Sequence, residues 1–202
     1  MKTLLVLYPI QPYVDGLMTG RESPEIEEEY ARIYQCLIAE RYPNFQIVWI
    51  MFSGFLSATD PDMSQLWRGI SIKESDIVAA CGVSFKEHCG ENKYPDPEDI
   101  IKSCPQPIEK LIIGGFHFWD CVEKVAEYAF RKGINVTVDD DLTEFFFHKV
   151  RDQKGNPSDS NIPLSRKKSI IKTRKRFLES GGTLQLDCVR KAREKKPWLI
   201  KI

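Results

Sequence analysis

Residues 111–141, LIIGGFHFWDCVEKVAEYAFRKGINVTVDDD, read as strand, loop, helix and strand, and they set one cysteine where the first strand gives way to the helix. Leu111, Ile112 and Ile113 form a short apolar run, and Gly114 and Gly115 then let the backbone turn without a Cβ penalty. Val122, Val125, Ala126, Ala129 and Phe130 recur at spacings of three and four, which gives a helix one apolar face, while Glu123, Lys124, Glu127, Arg131 and Lys132 cover the other. Gly133 ends the helix, and Ile134, Val136 and Val138 supply the next buried strand. Asp139, Asp140 and Asp141 stand at its carboxyl end, where open parallel sheets build their sites. Cys121 falls in the first helical turn. Unpaired backbone N–H groups there would stabilise a thiolate and hold a developing oxyanion, yet the position equally suits an inert cysteine packed under a helix.

Working outward, Lys2–Tyr8 carries Leu4, Leu5, Val6 and Leu7 in succession, the pattern of a strand buried on both faces. The stretch from Pro9 to Pro24 reads as a loop, with Asp15-Gly16 as a turn pair, leading to a helix capped by Ser23 and striped by Ile26, Tyr30, Ile33 and Leu37. Phe45–Phe52 and Asp76–Cys81 are further strands. Residues 53–75 and 82–97 read as long connections, the first with a helical turn near Met63–Trp67, and Pro97–Ser103 as a short helix. Beyond the central unit, Phe145–Val150 extends as a flap, 151–163 is a loop, and Ser165–Ser180 is a basic amphipathic helix. Thr183–Asp187 then gives a last strand and Cys188–Glu194 a last helix. This alternation predicts a single α/β domain over residues 1–202: a three-layer αβα sandwich with a mostly parallel sheet of about six strands.

Net charge is zero but unevenly spread. Residues 163–202 hold 13 Lys/Arg against 3 Asp/Glu, so that segment is +10 and the remainder −10. Because the basic residues alternate with an apolar stripe of Ile170, Ile171, Phe177 and Leu178, a docked surface helix accounts for them better than a nucleic-acid arm. The six cysteines include no CxxC pair, and the chain opens on a strand pattern, which points to a reducing, cytoplasmic setting. No apolar run approaches the ~20 residues of a membrane span. Neither GxGxxG nor a P-loop occurs, so no nucleotide cofactor is expected.

The segment resembles the isochorismatase-like cysteine hydrolases, a family that includes nicotinamidases and carbamoyl hydrolases. Gly115 lies six residues before Cys121, Ala129 eight after it, Gly133 four further on, and Asp141 at the end of the next strand, as in that family. The opening LLVLYPIQPYVDG and the stretch IIKTRKRFLESGGTLQLD from Ile170 to Asp187 are similar to its first strand and its final helix and strand. The resemblance implies a cysteine nucleophile, an aspartate base at the end of the first strand and a lysine at the end of a middle strand. Here Tyr8, Pro9, Ile10 and Gln11 occupy the aspartate's region and Cys81 the lysine's. The nicotinamidase metal site needs histidines after the second strand, and none lies between residues 1 and 87.

Substitute proton carriers are His117 and Asp15, with Asp120 and Lys86 nearby. Each has a plain structural alternative: a backbone-bonded loop histidine, a turn aspartate, a helix N-cap and a solvated lysine. Phe116, Phe118, Trp119 and Asp120 are expected to wall a pocket or surround an oxyanion site. The Phe145–Phe147 run suits core or an oligomer interface. Cys81, His88, Cys89 and His117 are metal-ligand types at a spacing that matches no common zinc pattern, so neither metal nor cofactor is expected. Two functions follow: a hydrolase acting on an amide, carbamoyl or related bond of a small molecule through Cys121, or a catalytically inactive member of the fold serving as a binding or assembly module. In either case a small-molecule ligand and a homo-oligomer are expected, without membrane or nucleic acid.

Overall fold

The first strand, β1 (Lys2–Leu7), lies at the centre of the sheet, and its unbroken apolar sequence follows from that place. Leu4 and Val6 pack on one face, and Leu5 and Leu7 on the other, so only Lys2 at the start of the strand meets water. The computed structural model describes residues 1–18, 24–144 and 146–147. In chain order its elements are β1, α1 (Gln11–Met18), α2 (Pro24–Arg41), β2 (Gln46–Ser53), β3 (Ile77–Ser84), α3 (Phe85–Glu91), α4 (Pro97–Lys102), β4 (Lys110–Gly115), α5 (Glu123–Arg131) and β5 (Val136–Val138). A π-helical turn, Phe118–Val122, leads into α5, and single 3₁₀ turns occupy Met63–Gln65 and Asp140–Leu142.

The five strands are all parallel in the order β3-β2-β1-β4-β5, with Leu4 opposite both Ile47 and Ile112. Helices cover both faces. On one, Tyr34 and Ile38 of α2 meet Leu4, Val6, Trp49 and Ile112. On the other, Val125, Ala126 and Ala129 of α5 and Ile100 and Ile101 of α4 meet Leu5, Leu7, Val48, Ile50 and Ile113. The architecture is the expected α/β sandwich, with five strands among the described residues. The proposed sixth strand, the basic helix, the final helix, the Ser23 cap and most of the flap lie outside the described residues. Phe146 and Phe147 are described, and both are buried against Tyr30 and Trp67, as core residues.

Two segments read as loops are helices. Residues 11–18 form α1, because Val14 and Met18, four apart, bury on one side, and Pro12 is tolerated in a first turn; Asp15-Gly16 lies inside this helix. Residues 85–91 form α3. Its start is a complete capping box, with the Ser84 hydroxyl accepting the Glu87 N–H and the Glu87 carboxylate accepting the Ser84 N–H. Phe130, assigned to the buried face of α5, is instead 42% exposed.

At the carboxyl end of the edge strand β5, Asp139 is 2% exposed and accepts two bonds from Arg41 Nη1 at 3.0 and 2.9 Å and one from the Tyr42 hydroxyl at 2.7 Å. Arg41 Nη2 pairs with Asp141 at 2.8 Å. The aspartate cluster after β5 is thus tied to the end of α2 and fixes the helical layer to the sheet. Among the described residues no helix is long and apolar enough to cross a membrane.

Candidate functional site

The carboxyl ends of β1, β3 and β4 converge on a group of polar side chains set among aromatic rings. Tyr8 leaves β1 in a left-handed conformation with φ of 50°, and its ring stacks on Phe52 with centroids 4.4 Å apart. The Tyr8 hydroxyl is enclosed beside the Cys81 thiol. Burial first, then the neighbouring Cys81 and Cys121 thiols, push its ionisation well above the ordinary phenol range. The end of β1 and the second half of β3 therefore bring a phenol and a thiol to Cys121, where the family resemblance implies a carboxylate and a lysine. Cys81 Sγ donates to the Val83 carbonyl at 3.2 Å.

Cys121 lies in the π-helical turn and is 5% exposed. The turn begins after a cis Phe116–His117 peptide, and the His117 carbonyl accepts from both the Asp120 and the Val122 N–H at 3.1 Å. The Cys121 sulfur, a carboxylate oxygen of Asp120 and a ring nitrogen of His88 all lie within 4.8 Å of one another. His88 comes from α3, is flanked by Phe52 and Tyr94, and donates from Nδ1 to the Lys93 carbonyl at 3.0 Å. A carbonyl can only accept, so that bond puts the ring proton on Nδ1 and the lone pair on Nε2. Asp120 accepts from Lys124 at 2.7 Å, and Lys124 Nζ sits 3.0 Å above the Tyr94 ring.

His88 is the site residue that the sequence reading assigned only to an unpatterned cluster. The Ser84-x-x-Glu87 capping box was the available signal, since it begins a helix and brings His88 back over the strand ends. His117 is close to the group: its ring lies 4.5 Å from Tyr13, and burial lowers its ionisation, with Asp120 opposing and His88 reinforcing that shift. It is therefore a neutral imidazole at pH 7. Asp15 belongs to a different cluster, half-exposed on α1, where it accepts from Gln11 at 2.7 Å and faces Arg68 at 3.8 Å. Phe118 packs in the same core as Cys121, whereas Phe116 packs on the opposite face against Phe147. The side chain of Trp119 lies outside the described residues. Asp120 pairs with Lys124 rather than capping the turn, and Lys86 lines a separate groove of ≈ 410 Å³ with Glu87 and Lys93.

The thiolate expected from the helix start is not what the site favours. Burial, then the charge of Asp120, push the Cys121 thiol up to about 12, and Lys124 only partly opposes them. In the free protein iodoacetamide is expected to alkylate Cys121 more slowly at pH 7.5 than the exposed Cys36 and Cys89, with its rate climbing throughout the alkaline range. Peptide mass spectrometry over a pH series reads this directly, and a plateau below pH 9 would contradict it.

A partly buried acid supports the turn. Glu144 accepts the Phe118 N–H at 2.7 Å, and burial pushes its carboxyl up to about 7. The folded state then holds a proton that the unfolded state releases near pH 4.5, so stability falls as pH rises from there to 7 and levels off above. The span corresponds to about 3 kcal/mol. Glu144→Gln retains an acceptor for Phe118 and cannot ionise. In urea titrations it is expected to exceed the wild type by about 1–3 kcal/mol at pH 8 and to match it near pH 4.5; equal stability at pH 8 would remove the assignment.

No protein-family model matches this chain, and no curated protein matches it. Among solved structures it is similar to an isochorismatase from Pseudomonas putida KT2440, at 19% identity over 70% of this chain and 70% of that one, with a TM-score of 0.44. It is also similar to an isochorismatase family protein from Burkholderia thailandensis, at 14% identity over 76% and 88% of the two chains, with a TM-score of 0.44. A third is the pyrazinamidase of Pyrococcus horikoshii, at 12% identity over 77% and 96%, with a TM-score of 0.40.

Proposed function

We propose that the chain is a divergent isochorismatase-like hydrolase that cleaves an amide, carbamoyl or related bond of a small molecule, with Cys121 as nucleophile and His88 as its base. The observation that carries this reading is the gathering of thiol, imidazole and carboxylate within 4.8 Å at the carboxyl ends of parallel strands. The thiol is protonated at rest. As the carbonyl carbon arrives, Nε2 of His88 takes the thiol proton, the C–S bond forms, and the carbonyl oxygen becomes an oxyanion facing the backbone of the Cys121 turn. The imidazolium then returns its proton to the leaving nitrogen as the C–N bond breaks. Water, deprotonated by the same ring, hydrolyses the thioester and restores the thiol. His88 acquires the correct tautomer from Lys93.

A panel of small primary amides and carbamoyl compounds tests this. Cys121→Ala is expected to abolish turnover of whichever compound is accepted, and His88→Ala to lower kcat by ~10² to 10⁴. The other reading, a binding or assembly module without catalysis, draws on the burial and raised ionisation of Cys121. It gains the field if no compound turns over, or if turnover survives in Cys121→Ala.

A further inference from the structure

The same three side chains form a ligand set that the proposed chemistry does not use as such. His88 on α3 and Asp120 and Cys121 on the turn before α5 come from separate elements, yet their donor atoms converge within 4.8 Å. A tetrahedral zinc site, with Zn–S of about 2.3 Å and Zn–N or Zn–O of about 2.0 Å, sets donor atoms roughly 3.3–3.7 Å apart, so closure asks only side-chain adjustments of about 1 Å. A second feature points the same way. A metal-binding histidine usually donates its other ring N–H to a carbonyl or carboxylate, and His88 Nδ1 does so to Lys93, which turns the unprotonated nitrogen into the available donor. Lys124 bonds to Oδ1 of Asp120, and among the described residues no hydrogen bond reaches Oδ2.

We propose that His88, Asp120 and Cys121 bind a thiophilic divalent cation, with Zn²⁺ as the best fit. The thiolate and carboxylate together neutralise its charge, and the imidazole completes a three-residue set of mixed S, N and O donors. Binding releases the Cys121 proton to solvent as the metal–sulfur bond forms, one proton per ion. Three protein donors leave the fourth position to water or to a small ligand. The bound ion also draws charge from the sulfur and screens it, so a loaded site reacts more slowly with electrophiles at Cys121. The proposal rests on the donor geometry alone and holds even if the chain turns out to hydrolyse nothing.

The test uses the full chain, reduced and freed of metal with a chelator, and Co²⁺ as the spectroscopic probe for Zn²⁺. One equivalent of Co²⁺ is expected to give a thiolate-to-cobalt charge-transfer band in the near ultraviolet, and equimolar Zn²⁺ is expected to abolish it and protect Cys121 from alkylation. Cys121→Ala removes the band. His88→Ala weakens binding by at least about tenfold, and Asp120→Asn, which preserves side-chain shape, does the same should the histidine variant not fold. Replacing the exposed Cys36 and Cys89 by Ser leaves the band unchanged. The proposal is overturned if no band forms, if the band survives in Cys121→Ala, or if it disappears with Cys36 and Cys89. The panel assay repeated in chelator keeps a failed metal site distinct from a failed hydrolase.

Discussion

Gly115→Ala is expected to yield little or no folded protein. Gly115 ends β4 with φ of 102°, and a Cβ built there would stand 2.0 Å from the Leu7 carbonyl oxygen and 2.4 Å from the Leu7 nitrogen. Both neighbours are backbone atoms of the central strand, hydrogen-bonded into the sheet, so neither can yield as a flexible side chain would. The Phe116 N–H also bonds to the Leu7 carbonyl at 2.9 Å, and pushing the two strands apart breaks that bond as well. The φ penalty alone is of order 1–3 kcal/mol, and the collision adds more, so the total reaches about 4 kcal/mol or beyond, a large share of a typical domain's stability. Circular dichroism and urea unfolding read the outcome. A variant with a native spectrum and a midpoint near that of the wild type would mean that β1 and β4 do not approach as described. Gly16→Ala, where a Cβ meets nothing within 4 Å, is the matched control and is expected to be neutral or mildly stabilising.

The second large effect falls on Asp139. Its carboxylate is buried and satisfies Arg41, Tyr42 and the Asp141 N–H together. Asp139→Ala leaves a partly buried guanidinium and a phenol hydroxyl without their acceptor, and removing one partner of a buried pair costs about 3–5 kcal/mol. Arg41 is itself one-third exposed and keeps Asp141, which places Asp139→Ala at the lower end of that range, whereas Arg41→Ala strips the buried Asp139 carboxylate of its cation and is expected to cost at least as much. Asp139→Ala and Arg41→Ala combined should therefore be less destabilised than the sum of the two singles, a coupling that a double-mutant cycle in urea measures. Full additivity would show that the two side chains act independently.

The two effects also separate what the sequence discloses from what it hides. The double glycine after an apolar run marks a strand end, and the three-and-four spacing from Val122 to Ala129 marks the helix, because both signals are local. So β4, α5, β5 and the position of Cys121 were legible. The Arg41–Asp139 pair joins residues 98 apart, and no local pattern announces it. α1 was missed because a turn pair, Asp15-Gly16, outweighed a buried stripe of only two residues. α3 was missed although its capping box is written in Ser84 and Glu87, and with it went the placement of His88 beside the sulfur. The ionisation of Cys121 was beyond reach for another reason. A helix start predicts a lowered thiol, but the sign is decided by the burial of Cys121 in the core and by the charge of Asp120, which only the tertiary structure supplies.

Catalysis requires that Cys121 react with acyl groups through His88 rather than rest as an inert core thiol. The most direct measurement exposes the metal-free chain to p-nitrophenyl acetate at pH 7.5 and locates the acetyl group by peptide mass spectrometry. Acetylation is expected at Cys121 in the wild type, to be lost in Cys121→Ala, and to be slower by ~10² or more in His88→Ala. Acetylation confined to the exposed Cys36 and Cys89, or unchanged labelling of Cys121 without His88, would contradict it.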